Sequence, residues 1–388
     1  MQFFGSFFIC FLLMVNFIDL FNKKKQPIGF NYDNAWMLNV SSPDMEIKDL
    51  LKIYADIKNS VESFEIINST TLVEDNIPFM LRSWTKDIKY NDKVSEKASV
   101  FFVDDDYAGV LGLNIIQGRW FRRSDDASKD RQVVINQKLK KELFANENPI
   151  GKKFNNEGNG DCVVVGVIDD FRYQGKYSSS KPSCFLRTLK GRENMAHNNN
   201  ESYGNTNMQP LSGITFLVKA NKKIQFNEQA KMINYMELNH PGLSFLLKSL
   251  DEMRVTFNTI TFIPTIVFSV ICIFLIINLF VGLFGVLWYN INLRKHEIGV
   301  RVSMGAFATK IYIQFIGEML VLATMGILPG IILAVQFPIL NVFNTDSIIY
   351  IKAIIASILI LYALVILCSI FPSVQAARIK PAVALHEE

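Results

Sequence analysis

Half of the 388 residues are apolar, 31 of them Phe, set against 40 basic and 36 acidic side chains. That balance is too apolar for an ordinary soluble protein and too charged for one lying wholly inside a bilayer. The net charge of +4 is modest and divided among several segments, so it does not mark a nucleic-acid binder.

The apolar residues gather in four runs: Phe3–Phe21, Ile260–Tyr289, Ile311–Phe337 and Ile351–Phe371. Each is about long enough to cross ~30 Å of hydrocarbon as a helix, which takes roughly 20 residues. The spacing predicts a membrane protein with four transmembrane α-helices. A large α+β extracytoplasmic domain is inserted between the first and second spans. The expected boundaries are 1–21 for the first span, 22–258 for the domain with its stalk, and 259–289 for the second span. A cytoplasmic loop at 290–310 precedes the third span, 311–337. A short outer loop at 338–350, the fourth span at 351–372 and a tail at 373–388 follow. The first run carries Asn16 and Asp19 and lacks a basic lead or a small-residue cleavage site, so an uncleaved anchor is expected.

Within the inserted domain, "AWMLNV", "KASVFFV", "RQVVIN", "DCVVVGVI" and "GITFLVKA" read as strands. "SPDMEIKDLLKIYADIKN", "QKLKKELFA" and "FNEQAKMINYMEL" have helical spacing. The Asn-rich stretch "GRENMAHNNNESYGNTNMQ" lacks periodicity and reads as a loop. Asp104, Asp105 and Asp106 stand where a strand gives way to a helix. There, helix capping is favoured over metal binding, because consecutive side chains diverge. His197, His240, His296 and His386 have no metal-ligand spacing. "NPIGKKF" is not a phosphate loop, because Asn146 replaces the first glycine and Lys153 the required Ser or Thr. No catalytic constellation emerges, and no metal or cofactor is expected in this chain. Cys10, Cys272 and Cys368 fall within spans, where they act as small apolar residues. Cys162 and Cys184 share the outer domain and are read as free thiols, with a disulfide as the alternative.

Orientation follows from Lys and Arg in short loops. Arg294, Lys295, Arg301 and Lys310 follow the second span, Arg378 and Lys380 follow the fourth, and Gln336–Tyr350 has neither. The 290s loop and the tail are therefore cytoplasmic. Lys23–Lys25 argues the other way and is outweighed by three downstream spans. The second run, preceded by "SLDEMRVTFNTITF", predicts a long stalk helix kinked at Pro264. Gly282 and Gly285 permit close helix approach and are candidates for a dimer face. Glu318, two turns inside the third span, suits interfacial anchoring, interhelical bonding or transport.

The connection "LRKHEIGVRVSMGA" alternates charge with apolar Ile298, Val300 and Val302, as a short amphipathic helix docking on a membrane or protein would. This motif, with the tail "FPSVQAARIKPAVALHEE", resembles the FtsX/MacB-like family of ABC transporter permeases. "FFVDDDYAGVLGLNIIQGRWF", "VVINQKLKKELFANENPIGKKF" and "VVVGVIDDF" resemble that family's MacB-type periplasmic core domain. The wording as a whole is most similar to Bacteroidetes-type permeases.

The resemblance implies an inner-membrane permease subunit without its own chemistry, coupled to a separate cytoplasmic ABC ATPase that binds ATP and Mg. It implies a homodimer or a pairing with a related permease, and a periplasmic adaptor or outer-membrane partner. Carried onto this chain, Glu297, Ile298, Gly299, Arg301, Gly305 and Ala306 form the coupling element, with Arg294 and Lys295 at its edge. Val302 and Ser303 depart from the family pattern of Arg, Lys or Ala. The family's cytoplasmic amphipathic lead is missing before the first run, which fits a misassigned start or half of a split tandem permease. Drug or peptide export, lipoprotein extraction and activation of a cell-wall hydrolase all fit. The competing reading is a signalling or scaffold protein of the same fold.

Overall fold

A computed structural model describes residues 2–44, 52–74, 76–128, 130–156, 160–187, 213–304, 307–340, 342–343 and 345–377. The Asn-rich stretch, His197, His386, Gly305, Ala306 and the end of the tail lie outside the described residues, as does part of the segment expected to form the first helix of the outer domain. The chain divides into two compact units: residues 23–261, and residues 1–22 with 262–388.

Four described helices are long and apolar enough to cross a membrane. They are α1 (Gln2–Lys25), the 44-residue α6 (Leu250–Leu293), α8 (Ala308–Ala334) and α10 (Ser347–Ala377). Short α7 (Lys295–Ser303) follows α6, and α9 (Gln336–Ile339) follows α8. Pro264 lies inside α6, which continues through it. At ~1.5 Å per residue, α6 is about 66 Å long.

The outer unit holds eleven described strands: β1 (Ala35–Ser41), β2 (Ile67–Glu74), β3 (Thr85–Tyr90), β4 (Lys93–Val103), β5 (Ile115–Gly118), β6 (Arg131–Asn136), β7 (Lys153–Asn156), β8 (Gly160–Ile168), β9 (Ser183–Arg187), β10 (Ile214–Ala220) and β11 (Ser244–Ser249). Helices α2 (Tyr54–Glu62), α3 (Tyr107–Leu111), α4 (Gln137–Leu143) and α5 (Phe226–Asn239) complete it. The strand order is β11-β1-β10-β2-β4-β3-β7-β8-β6-β9, and β9 also pairs in parallel with β4. Six strands therefore close into a ring, from which β2, β10, β1 and β11 extend as an open arm. Along β4 the side chains alternate. Phe101 and Val103 join the core around Phe171 and Phe185, while Val100 and Phe102 join the one around α4.

The ladders of ring and arm meet at a short seam, where among the described residues Val73–Val103 and Glu74–Phe102 pair between β2 and β4. Asp104, the residue after β4, extends it. Its carboxylate accepts from the Thr71 hydroxyl and, at 2.9 Å, from the Leu72 N–H of β2. Burial pushes the Asp104 carboxyl up, opposed by those hydrogen bonds and by the charge on Lys58. Its neighbours diverge: Asp105 grips Arg187 at 2.5 and 2.6 Å, and Asp106 pairs with Lys58 of α2 at 2.6 Å. Of the capping expected for the three, Asp104 supplies the local part, accepting from the Asp106 N–H at 3.1 Å where α3 begins. Asp106 occupies the N-cap of α3, but its side chain caps nothing. Nor do the described His, Cys, Asp and Glu residues form a group able to hold a metal ion.

Cys162 and Cys184 are buried and are not joined by a disulfide. They lie on β8 and β9, with β6 between them. Two strand spacings are ~10 Å, beyond the ~7 Å between Cα atoms that a disulfide spans.

The largest side chain among the fully buried ones is Arg172, 2% exposed. Its guanidinium donates to the carbonyls of Lys23 (2.8 Å), Gln26, Pro27 (2.8 Å), Lys176 (3.0 Å) and Ser178 (3.3 Å). The first three carbonyls belong to the end of α1 and the segment just after it, so this arginine fixes the point where the chain enters the domain. Burial pulls its pKa down, and the charge of Asp170 opposes this.

Arg172→Met should remove the side-chain donor from these carbonyls and destabilise the outer domain by about 3 kcal/mol, read as a lower thermal midpoint by tryptophan fluorescence. Asp104→Ala should speed amide exchange at Leu72 and Val73 well beyond its effect on β6 and β8, measured by hydrogen–deuterium exchange.

Candidate functional site

The described part of the 290s loop is α7 and its flanks. A single residue, Arg294, separates α6 from α7. The backbone nearly runs on, with Arg294 N–H donating to Asn290 O at 3.2 Å and Ile298 N–H to Arg294 O at 3.0 Å. Ile298 faces inward and is buried in the core of the spans with Ile291, Phe315 and Met319. Ile298 is the buried apolar anchor among the described side chains of α7, and Glu297 and Arg301 face outward, as the amphipathic spacing predicts.

Those charges are organised. Arg294 pairs with Glu318 of α8 at 2.9 Å, and Gln314 donates to the same carboxylate oxygen at 3.2 Å. Arg301 donates to Gln314 at 3.2 Å and pairs with Glu297 one turn back. A chain of contacts thus runs Glu297–Arg301–Gln314–Glu318–Arg294, tying both ends of α7 to one face of α8. Of the three roles open to Glu318, the structure shows interhelical bonding. Leu293, Met304 and Phe307 are 66%, 77% and 73% exposed around this charged rim. Lys295 opens α7 and Gly299 lies within it.

The structure therefore brings Arg294, Glu297, Ile298 and Arg301 together. It adds Gln314, which the sequence reading passed over. The signal was present in the four-residue spacing of Gln314 and Glu318, which puts both on one helix face.

The glycines serve helix packing. A Cβ on Gly282 would lie 2.5 Å from Gln2 of α1, whereas Gly285 faces open space. Gly326 and Gly330 of α8 receive Phe3 and Phe7 of α1, each 2.5 Å from an added Cβ. This G-x-x-x-G pair lets α1 seat its aromatic side chains on α8.

Four apolar helices, a large mixed domain between the first two, and a charged helical connection define a multi-pass membrane permease architecture. The family comparisons identify it further. Residues 9–231 match the MacB-like periplasmic core domain and residues 266–381 the FtsX-like permease C-terminal domain. The chain belongs to this family of MacB- and FtsX-like permeases, membrane components of ABC transporters, and is a multi-pass inner-membrane protein with a periplasmic domain.

Among its relatives, the macrolide export ATP-binding/permease protein MacB of Vibrio parahaemolyticus is 27% identical over 86% of this chain and 48% of its own length. MacB of Neisseria meningitidis serogroup B is 24% identical over 85% of this chain and 49% of its own. The chain spans about half the length of the curated relatives it matches. The crystal structure of the periplasmic region of MacB from Actinobacillus actinomycetemcomitans aligns with a TM-score of 0.39 and 18% identity, covering 61% of this chain and 98% of that one.

Glu318→Gln should weaken the Arg294 contact by about 0.2–1 kcal/mol, because the pair is half-exposed. Gly330→Leu should be far worse, since it drives a side chain into Phe7. Thermal unfolding of the purified protein in detergent should rank the two in that order.

Proposed function

We propose that this chain is the permease subunit of an ABC transporter whose ATP is bound and hydrolysed, with Mg, by a separate cytoplasmic ATPase. The observation carrying this reading is α6. One helix begins directly after strand β11 of the outer domain and ends one residue before α7. On this reading a displacement at α7 is passed along α6 toward β11, since no loop interrupts the helix between them. The ATPase docks on the outward charges of α7 and the apolar side chains of Met304 and Phe307. Glu297, Arg301 and Arg294 set the register, with Lys295, Gly299, Gly305 and Ala306 completing the surface. The chain acts as a dimer or beside a related permease, and Gly285 lies on an uncovered face of α6 suited to that contact.

On this reading the permease transmits motion to the periplasmic domain, and expulsion of drugs or peptides from the periplasm or extraction of lipoproteins is the work done. The macrolide-export names of the relatives favour the first. A periplasmic adaptor or outer-membrane partner engages the outer domain.

The test keeps the fold and changes the surface. In the double variant Glu297→Arg/Arg301→Glu, the one-turn ion pair is retained with its polarity reversed. Copurification of a Walker-motif ATPase with the full chain should fall at least about tenfold, with thermal stability unchanged. Undiminished capture, or modification of His296 from outside living cells, would sink the reading and favour the scaffold alternative.

A further inference from the structure

Far along the chain from the coupling loop, the outer domain carries a groove of about 610 Å³. One wall is the connection between β2 and β3, from Phe79 to Arg82. The other is Lys248 of β11 with the first turns of α6, from Glu252 to Ile260. The volume falls within the ~300–1,000 Å³ usual for small-molecule sites.

The lining is divided by chemistry. Phe79, Met80, Leu81, Met253, Phe257 and Ile260 form an apolar floor and rim, and Leu81 is 45% exposed. Arg82 and Lys248 bring two positive charges against the one carboxylate of Glu252. The β2–β3 wall is also strained. Asn76 and the buried Phe79 have φ of +47° and +61°, left-handed values that favour glycine. The surroundings enforce them. Asn76 bonds the Trp84 backbone on both sides and the Val100 carbonyl, while Phe79 N–H donates to Tyr173 O at 2.8 Å. Strain of this kind gathers at ligand clamps. Finally, Ile260 at the end of the groove is also the first residue of the apolar run Ile260–Tyr289, so α6 becomes lipid-compatible where the groove ends.

We propose that this groove binds one single-tailed anionic amphiphile from the bilayer, a fatty acid or lysophospholipid. The tail lies against Met80, Met253 and Phe257, and the headgroup is held by Arg82 and Lys248. Two cations against one carboxylate, in a groove otherwise lined mainly by apolar side chains, select a negative headgroup over a neutral one. The site needs no ATPase, so it stands or falls independently of the coupling role.

The test uses the full chain in phosphatidylcholine nanodiscs with two photoreactive probes sharing one diazirine-bearing tail, a palmitate and the corresponding monoacylglycerol. The palmitate should label residues within 79–82 and 253–260, and half-saturate at about tenfold lower concentration than the neutral probe. Lys248→Glu, on an exposed strand position, should erase that preference. Met253→Trp should fill the groove and remove labelling by both probes. Labelling confined to the spans would overturn the proposal without reference to any variant. Equal saturation by both probes, unaffected by Lys248→Glu, would overturn the headgroup assignment and with it the proposal.

Discussion

The carbonyls at and just beyond a helix end have to find donors, and where α1 ends one buried guanidinium reaches those of Lys23, Gln26 and Pro27, with the Gln26 N–H also donating to Lys23. Arg172 donates to five backbone oxygens, and these satisfy a charged side chain in a buried setting. The same meeting place is reinforced by backbone. Arg172 N–H donates to Ile28 O at 3.0 Å, and Gly29, with φ of +85°, lies where an added Cβ would strike the Asp170 carbonyl. Residues 23–29 are thus bolted to residues 170–178, and the start of β1 follows from that placement. An inserted domain depends on such a fixing point, because its chain enters and leaves through helices that belong partly to another unit.

Much of this architecture was legible in the sequence, and the reasons for success and failure are physical. Spans announce themselves because hydrocarbon demands long apolar runs, and the central strands because Val, Ile and Phe cluster in β4, β6, β8 and β10. The segments "TKDIKY" and "KFNN" gave no such signal. They become β3 and β7 because partners far along the chain complete their ladders. Arg172 was invisible for the same reason: within "DDFRYQGK" it looks like any surface arginine, and carbonyl partners leave no trace in residue identity. The three aspartates misled in part because capping is a local rule, whereas β2, Arg187 and α2 supply their non-local contacts.

At the 290s loop, Ile298 was legible as an anchor from its spacing. The link from α7 to α8 was not, since pairing between helices depends on how they pack. Glycine patterns show the same limit. Gly282 and Gly285 say that something approaches α6, not what. At Gly282 it is Gln2 of α1 in the same chain. The fuller use of small residues lies on α8, where Gly326 and Gly330 receive Phe3 and Phe7.

The seam between ring and arm has a mechanical consequence. A closed circuit of strands resists shear, since sliding any one strand breaks ladders on both its edges. Among the described residues the ladder between arm and circuit is two residue pairs long and is extended by the side chain of Asp104, but one core packs across it, with Met37 of β1, Val73 of β2 and Leu217 of β10 meeting Phe101 of β4 and Phe185 of β9. A load arriving through Ser249 is therefore carried from arm to ring by packed side chains more than by ladder hydrogen bonds.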